Sequence, residues 1–128
     1  MKVLDSTLLV DLIRGKEEAL KVLNKDETFL TTQINMFEVI RGLFLRKVSK
    51  EKFPQAINLF SEIRVLPLDD KAMIKAAEIS SQLYHNGNII DDCDCLIAGI
   101  ALSNGINKVI TRDVEHFKRI KGIKVETY

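Results

Sequence analysis

The sequence predicts an α/β fold: a three-layer α/β/α sandwich built on a central, mostly parallel sheet of four to five strands. Three observations carry that prediction. Short apolar or β-branched runs alternate with longer stretches of helical periodicity along the whole chain. Strands separated by helices require crossover connections, which make the sheet parallel and put helices on both faces. The chain has 128 residues, 46% hydrophobic and 29% charged, the size and balance of one globular domain spanning 1–128.

The elements follow in order. "KVL" before Asp5 is a short buried strand. "STLLVDLIRG" carries apolar residues at Leu8, Leu9, Leu12 and Ile13, a helical face that ends at Gly15. "KEEALKVLNK" is a second short helix, and "TFLTT" (28–32) a second strand. The spacing from Ile34 to Val48 predicts a longer helix with Phe37, Ile40, Leu43 and Phe44 inward. Ser49 is placed to cap a helix from Lys50 to Glu62. "RVLPL" (64–68) is the third strand, and Asp69 caps a helix reaching about Tyr84. After the "HNGN" loop, a helix starts near Asp92, runs through "CDCLIAGIALSN" and closes at Gly105. "KVITR" is the fourth strand, "VEHFKRI" a short helix, and "IKVETY" a last strand.

Composition excludes several classes. There is no apolar run long enough to cross a membrane. Asp5 interrupts the first residues and no cleavage site follows, so they do not read as a secretory signal, and a cytoplasmic protein is expected. Cys93 and Cys95 are too close to staple the chain, and with only two distant histidines they make a poor zinc site; small reduced hydrophobes are expected. The net charge of +1 neither demands nor excludes nucleic acid. No Ser-His-Asp arrangement and no phosphate-cradling glycine loop is readable.

The chemistry lies in Asp5, Glu38, Asp94 and Asp113, each placed where an apolar run meets a helix start. In an open parallel sheet those are the ligand-binding positions, outside the carboxyl ends of the strands at the topological switch point. If the strands before Asp5 and Asp113 are neighbours there, the two carboxylates meet. Carboxylates gathered in one cleft repel each other, and a hard divalent cation is the usual remedy. Taken one at a time, these residues have plainer roles. Asp5 reads as an N-cap, Asp94 as a first-turn acid, Asp113 as a turn residue and Glu38 as a surface helix residue.

As an ordered set they resemble the PIN-domain family, most closely its small VapC-type toxin nucleases. The resemblance runs through "VLDSTLLVDLIRG", the Glu within "INMFEVIRG", "DCLIAGIAL" and "VITRDVEHF", over essentially the whole chain. It implies a Mg²⁺- or Mn²⁺-dependent ribonuclease acting on RNA, a cognate antitoxin as protein partner, and a homodimer. It implies that Asp5, Glu38, Asp94 and Asp113 are the catalytic acids. Asp5 and Asp113 would be direct metal ligands, with Asp94 binding directly or through water. Glu38 would orient or deprotonate the attacking water. Ser6 and Thr111 match supporting polar positions, and Asp91 and Asp92 are further acids beside Asp94. Mutual repulsion without metal is expected to raise one or more of the carboxylate pKa values.

Charge is uneven. Arg41, Arg46, Lys47, Lys50 and Lys52 follow Glu38, and Arg41, Arg46 and Lys47 are candidates for binding the RNA backbone. A solvated helix face is the equal alternative, and Arg41 could instead pair with Glu38 or Asp11. Lys118, Arg119, Lys121 and Lys124 form a second basic stretch. His116, three residues after Asp113, could approach the cleft, but a solvated helix residue is the expected reading. Phe53, Ile57 and Phe60 are expected in the core or at a dimer face. Two other functions fit less well. A haloacid-dehalogenase-like phosphohydrolase is hinted at by Asp5 and by Asp91-Asp92, but Thr7 stands where that family has its second Asp. A non-catalytic PIN-like module that binds RNA or protein would not need all four acids.

Overall fold

A computed structural model describes residues 1–24, 26–47 and 51–128. Its strands are β1 (Lys2–Leu4), β2 (Phe29–Thr32), β3 (Arg64–Leu66), β4 (Lys108–Ile110) and β5 (Lys124–Glu126). They form one five-stranded sheet in the order β3-β2-β1-β4-β5, and every pairing is parallel. The helices are α1 (Ser6–Ile13), α2 (Glu17–Leu23), α3 (Gln33–Leu45), α4 (Lys52–Glu62), α5 (Asp70–His85), α6 (Asp92–Ser103) and α7 (Val114–Phe117).

Side chains alternate across a strand, so each strand feeds two cores. Val3, Leu30, Leu66 and Val109 pack with α5, α6 and α7 through Ala72, Ile79, Ile97, Ile100 and Phe117. Leu4 and Ile110 face the other way, onto Leu8, Leu9, Ala19, Val22, Val39 and Phe60 of α1 to α4. The three-layer prediction holds, with five strands, all parallel. Gly105 closes α6 at φ +73°, a conformation open to glycine at little cost.

Two stretches differ from the sequence expectation. The inward residues of α3 are Asn35, Val39 and Leu43, whereas Phe37 and Phe44 stand 58% and 67% exposed. The helix has apolar residues on more than one side, and its inward face is given over partly to the polar Asn35. On α4, Phe60 is buried and Ile57 is exposed. The expected helix end at Val48, the Ser49 cap and the helix start at Lys50 lie outside the described residues.

The switch point falls between β1 and β4. The connection after β1 leaves for β2 on one side, and β4 is added on the other. Val3 pairs with Val109 and Leu4 with Ile110, so Asp5 emerges beside Thr111, two residues before Asp113.

Candidate active site

Asp5 occupies the N-cap position of α1, yet its side chain does not cap the helix. Its backbone N–H bonds the Ile110 carbonyl at 3.0 Å, which extends the β1–β4 ladder by one residue. That leaves the carboxylate for the cleft, where it is only 5% exposed. Oδ1 accepts from Asn35 Nδ2 at 3.0 Å, and Oδ2 accepts from the Thr111 hydroxyl at 2.6 Å.

These bonds fix a directed network, because an ionised carboxylate only accepts. Thr111 spends its proton on Asp5, so the Thr7 hydroxyl 3.2 Å away donates to Thr111, and Thr7 in turn accepts the Arg112 N–H at 3.1 Å. Thr111 Oγ1 also accepts the Asp113 N–H at 3.0 Å, which holds the backbone that presents the Asp113 carboxylate. On the other side, Asn35 accepts from Thr32 at 2.7 Å, which orients its amide so that Nδ2 faces Asp5 and Ser6 Oγ. Ser6 then donates to Glu38 Oε1 at 2.8 Å. Thr32 caps α3 through the Asn35 N–H, so the helix start and the polar network share the same atoms.

Asp94 lies in the first turn of α6, and its Oδ2 is 2.6 Å from His116 Nδ1 on α7. His116 is therefore bound to an acid of the cleft and is not simply solvated, so the alternative that its spacing from Asp113 offered holds over the expected one. Asp91 caps α6 by accepting the Cys93 N–H at 3.3 Å, while Asp92 is exposed in its first turn. Ligand atoms of Asp94, Asp113 and His116 lie within 4.8 Å of one another. Carboxylate oxygens suit a hard divalent cation that keeps several waters, so Asp94 and Asp113 with the neighbouring Asp5 are a fitting donor set, and His116 is the partner that holds Asp94.

The carboxyls of Asp5, Glu38 and Asp94 are all held above their ordinary pKa. In each case burial is the largest cause. Repulsion adds to it, from Asp113 on Asp5, from Asp5, Asp94 and Asp91 on Glu38, and from Asp5 and Asp91 on Asp94. The direction is the expected one, but desolvation outweighs the repulsion from which it was argued. The bond from His116 acts the other way on Asp94.

The basic candidates separate. Arg46 borders the cavity that contains Ser6 and Thr7. Arg41 instead lines an apolar groove with Met36, Phe37, Ile40 and Phe44. Lys47 is exposed in the turn after α3, at φ 49°. Asp11 does not take Arg41; it pairs with Lys16 at 3.4 Å and Arg112 at 3.1 Å. Asn35, Thr7 and Arg112 are the polar residues that the sequence did not single out for the site. The available signal for Asn35 was position: it lies one helical turn before Glu38, at the start of α3. Cys93 and Cys95 are unpaired thiols, the latter buried in the core. Among the described residues no helix is long and apolar enough to cross a membrane.

Residues 2–123 match the PIN domain, and the chain belongs to that family. Among characterised relatives it is 27% identical over 127 residues to ribonuclease VapC1 of Methanocaldococcus jannaschii, covering 98% of this chain and 85% of that one. It is also 27% identical over 129 residues to the tRNA(fMet)-specific endonuclease VapC of Salmonella typhimurium, covering 98% and 96%. Among solved structures, the DNA-bound VapBC of Salmonella typhimurium superposes with a TM-score of 0.83 at 27% identity, covering 98% of this chain and 96% of that one.

Proposed function

We propose that this protein is a divalent-metal-dependent endoribonuclease, the toxin of a toxin–antitoxin pair, and that Asp5, Glu38, Asp94 and Asp113 are its catalytic acids. The observation that carries the proposal is the gathering of these acids around the β1–β4 switch point, each oriented by a named hydrogen bond or strand register. The ribonuclease and endonuclease relatives, and the VapBC structure, support the substrate class and the antitoxin partner.

Asp5, Asp94 and Asp113 would hold the cation, Mg²⁺ or Mn²⁺. When bound, it would offset their mutual repulsion and supply electrophilic stabilisation of charge on the phosphate. Glu38 acts as the general base. Ser6 occupies Oε1, so Oε2 is the oxygen that takes a proton from the attacking water, and a pKa raised by burial brings the group nearer to neutral pH. Asn35 and Thr111 keep both Asp5 oxygens in place, and Asp91 serves as the cap of α6 rather than as a ligand. Sequence preference among RNAs is set by the shape of the cleft, since phosphate contacts carry no sequence information. The small antitoxin obstructs the cleft, and the toxin works in the cytoplasm as a homodimer. Exposed Phe37, Phe44 and Ile57 offer apolar area for these contacts.

The test is cleavage of a panel of structured RNAs by purified protein with Mg²⁺, Mn²⁺ or EDTA, beside Asp5→Asn. Cutting that requires metal and disappears in the variant is expected. Equal cutting by the variant, or phosphatase activity without RNA cleavage, would overturn the proposal.

A further inference from the structure

We infer that Arg112, with Arg46, forms a binding site for an RNA backbone phosphate next to the acidic centre; the inference rests on the ribonuclease reading and extends it. The two arginines border a cavity of about 300 Å³ together with Ser6, Thr7, Val10 and Asp11. Ser6 and Thr7 follow Asp5 directly, and Ser6 donates to Glu38, so the cavity adjoins the site at its α1 edge. An acidic centre of this kind repels a polyanion that lacks counter-charge, and cations beside it draw the flanking backbone in.

Arg112 is held for such a task. Its Nε lies 3.1 Å from Asp11 Oδ2, and its guanidinium lies over the Tyr128 ring at 4.9 Å from the centroid. Beyond Asp11 its guanidinium meets the Tyr128 hydroxyl, and as a border of the cavity it still offers N–H donors there to a phosphate. Asp11 has partners besides Arg112. Its Oδ2 accepts the Tyr128 hydroxyl at 2.6 Å, and Lys16 lies 3.4 Å from its Oδ1. The buried carboxylate is thus already served, and Arg112, whose side chain is 45% exposed, is anchored at its stem and open at its tip. A lysine here would have the charge without the planar fork that lets one edge rest on Asp11 while other N–H groups face the cavity. The backbone N–H of the same residue bonds Thr7, so the guanidinium is tied to the network that places Thr111 and Asp113.

The experiment is fluorescence anisotropy of a labelled structured RNA with the full chain in EDTA, across about 0.05–0.2 M salt, for the parent, Arg112→Gln and Arg46→Gln. Each substitution is expected to weaken binding about tenfold and to reduce the slope of log K against log salt by about 0.7, one contact to a single strand. Arg46 is exposed, so its variant guards against a folding defect at Arg112. Parental affinity and slope in both variants would overturn the inference. So would a loss in Arg112→Gln that only follows its loss of circular dichroism while Arg46→Gln binds as the parent does. If the parent still cuts RNA with Mg²⁺ in either of those cases, the ribonuclease reading stands without this site. A parent that neither binds nor cuts RNA removes both.

Discussion

Asp5 accepts one hydrogen bond on each carboxylate oxygen while sitting almost wholly out of solvent, and that combination sets its behaviour. Asparagine can keep both contacts: its oxygen accepts from Asn35, and its amide donates to Thr111, whose proton turns to Thr7. Asp5→Asn should therefore fold, lose cleavage, and be more stable than the metal-free parent by about 0.5–2 kcal/mol at neutral pH, measured by thermal denaturation. Asn35→Leu removes the donor and strands Oδ1 of a buried carboxylate. It should cost about 1–3 kcal/mol. Glu38→Gln keeps an acceptor for Ser6 but cannot hold the proton. Its kcat should fall about 10²–10⁴-fold with KM little changed, in steady-state cleavage assays. The places of Asp5, Asp94 and Asp113 at strand ends and helix starts were legible in the sequence, whereas Glu38, six residues into α3, was singled out by the family resemblance. The partners of Asn35, His116 and Arg112 were not legible, because a single polar residue on a helix or turn reads by default as solvated; the β1–β2 and β1–β4 registers and the packing of α7 against α6 reveal them.

At the scale of elements, the strand–helix alternation sufficed to predict the layers, since a parallel sheet follows from crossovers. The phase of α3 was not recoverable. Its apolar residues form two stripes, one through Val39 and Leu43 and one through Phe37 and Phe44, and periodicity does not say which of them faces inward. The α5–α6 pair is held closer than side chains usually allow. A Cβ at Gly99 would come 2.7 Å from the Ala72 carbonyl oxygen and 2.8 Å from the Ala76 backbone nitrogen and Cβ. Helix propensity favours alanine by about 1 kcal/mol, but backbone atoms cannot give way as a flexible side chain can. Gly99→Ala should thus be destabilising by about 1–3 kcal/mol in denaturant unfolding, and it should weaken activity by moving the helix that bears Asp94.

For the whole molecule, the buried acids make stability depend on pH and metal. Folded Asp5, Glu38 and Asp94 have pKa values above those of the unfolded chain, so between the two values the folded state binds more protons. Stability of the metal-free protein contributed by these groups is present below the unfolded values and is lost as pH rises through the folded ones. Asp11 acts oppositely. Burial alone would raise it, but the bonds from Tyr128 and Lys16 and the charges of Lys16 and Arg112 win, so its contribution is lost as pH falls through its depressed pKa. The advantage of Asp5→Asn over the parent should therefore shrink as pH falls from 7 toward about 4, the unfolded carboxylate range, in paired melting curves.

A divalent cation reverses this sign, because it selects the ionised carboxylates and stabilises the fold by mass action. Titration calorimetry of Mn²⁺ into the metal-free protein near neutral pH, beside Asp94→Asn and Asp113→Asn, tests that claim most directly. Saturable binding with proton release, and affinity at least about tenfold lower in each variant, is the predicted result. Absence of binding by the parent, or equal binding by both variants, would contradict the assignment of these acids to a metal centre.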